Sequence, residues 1–144
     1  DITIIPPLML GQEYNKTLGH YHLGTAELYI ILQGEALFLA QERIAAKDDQ
    51  IADCWFAKAV VGQSFAIPKT SAHFTINAAD CPLVMANWIK TDCKNDYEPV
   101  AKMAGACYYY TINGWLKNQR YSKIPQLRQV QPLPTIPQNL DFLK

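Results

Sequence analysis

Three histidines and one glutamate are the residues of this chain best suited to chemistry. The chain has three His in all, and they fall in two short segments, Gly19-His20-Tyr21-His22 and Ala72-His73-Phe74-Thr75-Ile76-Asn77. In extended chain, His20 and His22 project from the same face, because side chains repeat every two residues along a strand. Glu27 follows His22 at an odd offset, which on one uninterrupted strand would point it away. Leu23-Gly24-Thr25-Ala26 must therefore turn, with Gly24 supplying the permissive backbone, and a hairpin there is expected to restore the shared face. His73 opens a second strand pattern, in which His73, Thr75 and Asn77 are expected to line one side.

Three neutral imidazoles and a carboxylate suit an octahedral first-row cation: Fe²⁺ foremost, with Mn²⁺, Ni²⁺ or Zn²⁺ as alternatives. Such a set leaves two positions for water or substrate oxygens. No thiolate joins it, which separates it from a closed structural zinc site.

The elements that must position these residues read as β-structure. Short apolar or alternating runs punctuated by Pro, Gly, Asn and Asp predict strands at Thr3–Ile5, Leu8–Leu10, Gly19–His22, Glu27–Leu32, Ala36–Gln41, Ile51–Phe56, Ser64–Ile67, Ala72–Asn77, Leu83–Trp88 and Tyr108–Ile112. Asn113-Gly114 marks a hairpin turn. Glu98–Ala104 is expected to form one or two helical turns. So many short strands predict an all-β sandwich or barrel over residues 1–116. From Lys117 onward Pro125, Pro132, Pro134 and Pro137 predict an extended C-terminal arm, 117–144, wrapping the surface or a partner subunit.

Composition narrows the partners. Lys+Arg 13 balances Asp+Glu 13, so there is no net field to draw a polyanion or an anionic membrane surface, and neither nucleic acid nor membrane is expected. Hydrophobic residues at 49% are enough to bury a core. No apolar run approaches a membrane span, and the opening Asp1-Ile2-Thr3-Ile4-Ile5 lacks the basic start and apolar stretch of a signal peptide. A chain opening on Asp1 rather than Met has the pattern of a processed product or of a piece of a longer protein. Cys54, Cys81, Cys93 and Cys107 are widely spaced without a C-x-x-C pair, as expected of reduced thiols in a cytoplasmic protein.

The two His segments also resemble the paired motifs of the cupins. His-x-His is followed by Glu27 after four residues and Gly34 after six more; downstream stand Gly62, Pro68, His73 and Asn77, with Thr70 where the second motif usually has Gly. The similarity extends to the cupin-type glucose-6-phosphate isomerase family through Thr3-Ile4-Ile5-Pro6-Pro7, Thr17-Leu18-Gly19-His20-Tyr21-His22, Glu27-Leu28-Tyr29, Gly34-Glu35-Ala36 with Gln41, Asp96-Tyr97 and Gly105-Ala106-Cys107-Tyr108-Tyr109. The resemblance implies a cupin double-stranded β-helix, a jelly-roll barrel. It also implies His20, His22, Glu27 and His73 as ligands of one divalent transition metal, Thr3, Thr17, Gly19 and Tyr97 as holders of a substrate phosphate, and Glu27 and Tyr29 beside the reacting carbons.

The activity implied is interconversion of glucose 6-phosphate and fructose 6-phosphate, by proton transfer through Glu27 or by a direct hydride shift, in a homodimer. Hydroxyls and a backbone N–H can hold a phosphate without a basic cluster, consistent with the neutral charge. The chain departs from the family at Asn95, where a His is common, and near Trp88-Ile89, where a tyrosine is common. An amide shuttles no proton at neutral pH. A sugar-phosphate-binding cupin without turnover and an Fe²⁺-dependent cupin oxygenase are the alternative readings.

Overall fold

The computed structural model describes residues 1–143. The chain forms β1 (Ile2–Ile5), β2 (Met9–Leu10), β3 (Glu13–Tyr14), β4 (His20–His22), β5 (Glu27–Gln33), β6 (Glu35–Arg43), β7 (Ile51–Val60), β8 (Ser64–Ile67), β9 (Ser71–Ile76), β10 (Leu83–Trp88), β11 (Asn95–Asp96), helix α1 (Glu98–Lys102), β12 (Tyr108–Thr111), β13 (Gly114–Lys117), β14 (Arg128–Gln129) and a 3₁₀ turn at Asp141–Leu143. One sheet has the order β1-β10-β5-β8, a second β11-β4-β9-β6-β7-β14, and a small third β13-β12-β3-β2. Apart from the parallel contact of β14 with β7, the strand pairs are antiparallel.

Period-two alternation explains how the layers stack. On β6, Ala36, Phe38 and Ala40 join Ile31, Trp55, Phe65, Ile67, Leu83 and Met85 in the core between the first two sheets. Leu37 and Leu39 turn to the opposite face and join Tyr21, Phe74, Ile76, Val100, Tyr108 and Tyr121. The second sheet is thus buried on both faces, and the apolar runs of β6 and β9 are nearly continuous for that reason. Each fully buried Phe, Leu or Ile contributes about 1.5–3 kcal/mol. Helix α1, the β12–β13 hairpin and the chain beyond it form the outer cover. Gln41 pins that cover to the sheet: its carbonyl accepts the Cys107 N–H at 2.7 Å and its amide donates to the Tyr121 hydroxyl at 3.0 Å.

The strands at Ser64–Ile67 and Leu83–Trp88 occupy the ranges read from sequence, and β7 runs four residues beyond Phe56. β3, β11, β13 and β14, each of two to four residues, lie outside the strands read from sequence, although the Asn113-Gly114 turn leads into β13. Beyond β13 the extended chain tracks its own sheet. β14 pairs with Trp55 and Phe56, Leu133 N donates to Ser64 O at 2.8 Å, and the Arg128 guanidinium grips Asp53 through Nε at 3.1 Å and a terminal nitrogen at 2.6 Å.

Two local expectations are corrected. Leu23–Ala26 does turn, with Gly24 at φ +88, but β4 and β5 belong to different sheets. The turn carries the chain across the sandwich, so Glu27 faces His22 from the opposite layer and not from a hairpin partner. Asn77 lies past the end of β9 and does not line the site. Its side-chain amide donates to Ile5 O at 2.8 Å and Cys81 O at 2.9 Å, tying β1 to the loop before β10.

Gly19 is required by backbone and packing together. Its φ is +75, and a Cβ there would lie 2.1 Å from the ring of buried Phe74. Gly19→Ala is therefore expected to cost about 2–4 kcal/mol, summing overpacking and left-handed backbone strain, by urea denaturation. Adding Phe74→Leu should recover part of the loss; an Ala variant as stable as the parent would refute this account.

Candidate metal centre

The β4–β9 register places His20 directly opposite His73, and His22 follows two residues along the same strand. The three imidazoles pack edge to face or tilted, with centroids 4.5–5.0 Å apart. Glu27, the first residue of β5, enters from the facing sheet and is 2% exposed. Its Oε2 lies 2.7 Å from His22 Nε2 and 3.1 Å from His73 Nε2. One potential ligand atom from each of the four residues lies within 4.8 Å of the others.

The electrostatics favour ligands ready for a cation. Burial pushes the Glu27 carboxyl up, but hydrogen bonds and charge interactions with His22 and His73 outweigh it and hold the group well below the usual carboxylate range. Burial lowers His20 to about 4, helped by repulsion from His73 and His22, and burial also lowers His73. An ionised carboxylate thus sits beside two imidazoles, His20 and His73, that resist protonation.

The hydrogen-bond geometry tests the fit of a metal. His22 Nδ1 is 3.0 Å from Asn95 Oδ1 while its Nε2 faces Glu27 Oε2, so both ring nitrogens meet oxygen acceptors. A neutral imidazole carries one proton and satisfies only one of them. With Nδ1–H donating to Asn95, the Nε2 lone pair is free for a cation, the usual arrangement of a ligating histidine oriented by an outer partner. A divalent cation fits this donor set.

Above the ligands opens a cavity of about 670 Å³, walled by Thr3, Tyr29, Asn87, Lys90, Cys93 and Tyr97 among others. The Tyr29 hydroxyl is 3.0 Å from His73 Nε2, and burial together with the Glu27 charge raises its pKa, keeping it a neutral hydrogen-bonding group. Tyr97 tilts over His20 at 4.9 Å and its hydroxyl accepts from Asn95 Nδ2 at 3.3 Å. Thr17 and Gly19 do not line this cavity. They border a more apolar neighbouring one of about 300 Å³, with Tyr97 common to both. The Thr17 hydroxyl accepts the Thr75 N–H at 3.0 Å.

Sequence reasoning missed Asn87, whose amide donates to Glu27 Oε1, and Cys93, whose sulfur lies 3.3 Å from His22 Nδ1. Neither belongs to a recognisable local motif. Asn95, noted only as a departure, is the residue that orients His22.

A jelly-roll of this topology, with three imidazoles and a carboxylate that could hold a metal ion converging below an open cavity, is a cupin barrel. The family description "Glucose-6-phosphate isomerase (GPI)" matches residues 1–126. The chain belongs to the glucose-6-phosphate isomerase family. A glucose-6-phosphate isomerase of Thermococcus litoralis is 29% identical over 102 residues, covering 69% of this chain and 50% of that protein. One of Pyrococcus abyssi (strain GE5 / Orsay) is 27% identical over 117 residues, covering 80% and 58%. The chain thus spans between half and three-fifths of the length of these relatives. Among solved structures, a cupin-superfamily sugar phosphate isomerase from Silicibacter pomeroyi DSS-3 superposes with a TM-score of 0.42 at 15% identity, covering 86% of this chain and 69% of that one.

Removing the outer support of His22 should loosen the metal without unfolding the barrel. Asn95→Ala is expected to weaken Zn²⁺ binding about 10–100-fold in a chelator-competition titration, and unchanged affinity would contradict the orienting role.

Proposed function

We propose that this chain interconverts glucose 6-phosphate and fructose 6-phosphate as a divalent-metal-dependent aldose–ketose isomerase. The observation that carries the reading is the buried three-histidine, one-glutamate cluster beneath a cavity of about 670 Å³, in a chain of this family. Fe²⁺ is the metal favoured by the donor set, with Mn²⁺, Ni²⁺ and Zn²⁺ the alternatives. When bound, such a cation supplies Lewis acidity toward the oxygens on C1 and C2 of the open-chain sugar.

His20, His22, Glu27 and His73 hold the cation. Tyr29, beside Glu27 and His73, donates a hydrogen bond toward the reacting end of the sugar. Glu27 is the carboxylate positioned to take the C2 proton of the aldose and return it to C1; a direct hydride shift leaves Glu27 a ligand only. Running the reaction in D₂O separates these routes, since proton transfer brings deuterium into the product and a hydride shift does not.

The phosphate lies toward Tyr97, whose ring lines both cavities. Thr3 approaches it from the main cavity, and Thr17 with the backbone of Gly19 from the other. Residues 1–116 are the catalytic barrel and 117–144 a C-terminal arm, which lies along the barrel through Arg128–Gln129 and Leu133. A homodimer through the outer face of the first sheet accounts for Ile2 and Ile4, 68% and 65% exposed on edge strand β1, and a cytoplasmic site of action suits a phosphohexose substrate.

The test is conversion of fructose 6-phosphate to glucose 6-phosphate across a panel of divalent metals. Chelation should abolish turnover, and Glu27→Ala should lower kcat/KM at least about a hundredfold, on the scale by which even the outer partners of metal ligands matter. Binding of fructose 6-phosphate without conversion under any metal would sink the isomerase reading in favour of a sugar-phosphate-binding cupin.

A further inference from the structure

A carboxylate can hold a cation through one oxygen or through both. Beside three imidazoles the difference decides what else can bind. With one oxygen, two positions of an octahedron stay open; with both, only one does. A sugar presenting two vicinal oxygens to the cation needs two. Some feature of the protein must therefore restrain Glu27.

The two oxygens of Glu27 have different surroundings. Oε2 faces the imidazoles, 2.7 Å from His22 Nε2 and 3.1 Å from His73 Nε2. Oε1 accepts a 2.5 Å hydrogen bond from Asn87 Nδ2. We propose that Asn87 is the positioning residue that keeps Glu27 a one-oxygen ligand and so preserves two adjacent open positions for the substrate. This rests on the metal-chelating reading of the site given above.

The placement of Asn87 suits that task. It lies on β10, an inner strand flanked by β1 and β5, so its amide is delivered from the middle of a sheet and not from a loop. Its register partner on β5 is Tyr29, two residues from Glu27, which makes Asn87 and Glu27 diagonal neighbours across the ladder, within reach of longer side chains. Asn87 N donates to Asp1 O at 3.1 Å, holding its backbone on the β1 side as well. A neutral amide is also the right chemistry. It occupies one oxygen with a hydrogen bond, whereas a lysine or arginine would place a full positive charge beside the cation.

The test counts exchangeable waters on the metal, and needs no turnover. The full chain and its Asn87→Leu and Asn87→Ala variants are loaded with Mn²⁺, and water-proton relaxation is measured per bound ion. The parent should show about twice the inner-sphere contribution of either variant, because freeing Oε1 lets the carboxylate displace one of two waters. Asn87→Leu nearly conserves shape but can neither donate nor ligate, which guards against an Ala variant that packs poorly. Unchanged relaxation in both variants would overturn the proposal while leaving the metal site standing. A change in Asn87→Ala but not in Asn87→Leu would overturn it too, since volume and not the hydrogen bond would then matter. A parent chain that bound no Mn²⁺, Fe²⁺, Ni²⁺ or Zn²⁺ would instead remove the metal reading on which it rests.

Discussion

An ionised carboxylate buried between two β-sheets is the constraint around which this protein is arranged. Taking a lone carboxylate out of water costs several kcal/mol even after relaxation, so Glu27 can stay charged only where donors or a cation meet it. Asn87 donates to one of its oxygens from β10, while His22 on β4 and His73 on β9 face the other and flank the place suited to a cation. Four strands from two sheets must therefore come level at one point. A one-residue slip between β4 and β9 would send His73 to the outer face and replace it with Ala72 or Phe74, leaving the charge without that partner.

Burial of the second sheet on both faces makes that precision possible. The outer cover contributes more than apolar area, because the same segment reaches the cavity. Pro99 and Val100 of α1 are buried, while Tyr97 at the helix N-terminus leans over His20. Just before it, β11 pairs with β4 and sets Asn95 opposite His22. The packing that shields the outer face of the barrel thus also supplies one cavity wall and the outer partner of His22. Outer packing and the orientation of His22 are mechanically connected.

The cavity combines a charged floor with a mostly neutral rim. Hydroxyls from Thr3 and Tyr97 and amides from Asn87 and Asn95 surround the opening, and Lys90 is the basic side chain among the lining residues outside the histidines. Such a rim offers oriented dipoles more than net charge, in keeping with a chain of formal charge +0. Asn95 illustrates how a departure from family pattern is read in three dimensions. As an isolated substitution it removes a proton carrier; in the structure its side-chain oxygen faces His22 Nδ1 at 3.0 Å and its amide donates to the Tyr97 hydroxyl.

Spacing along the chain was enough to single out His20, His22, Glu27 and His73, which the structure brings together, and most of the strands. Periodicity is a local property: residues two apart on a strand share a face wherever that strand is placed, so His20 with His22, and the alternation of β6, could be read directly. Contacts between segments far apart in sequence could not. That Glu27 approaches from the opposite sheet and not along a hairpin, that Asn77 braces β1, that Thr17 and Gly19 border a second cavity, and that Asn87 holds Oε1 all depend on how two sheets pack. Sequence by itself determined which side chains could bind a cation and that they would lie on strands. Tertiary structure alone decided which oxygen and which nitrogen face one another, because that is set by sheet register and interlayer distance, quantities no spacing within a strand encodes.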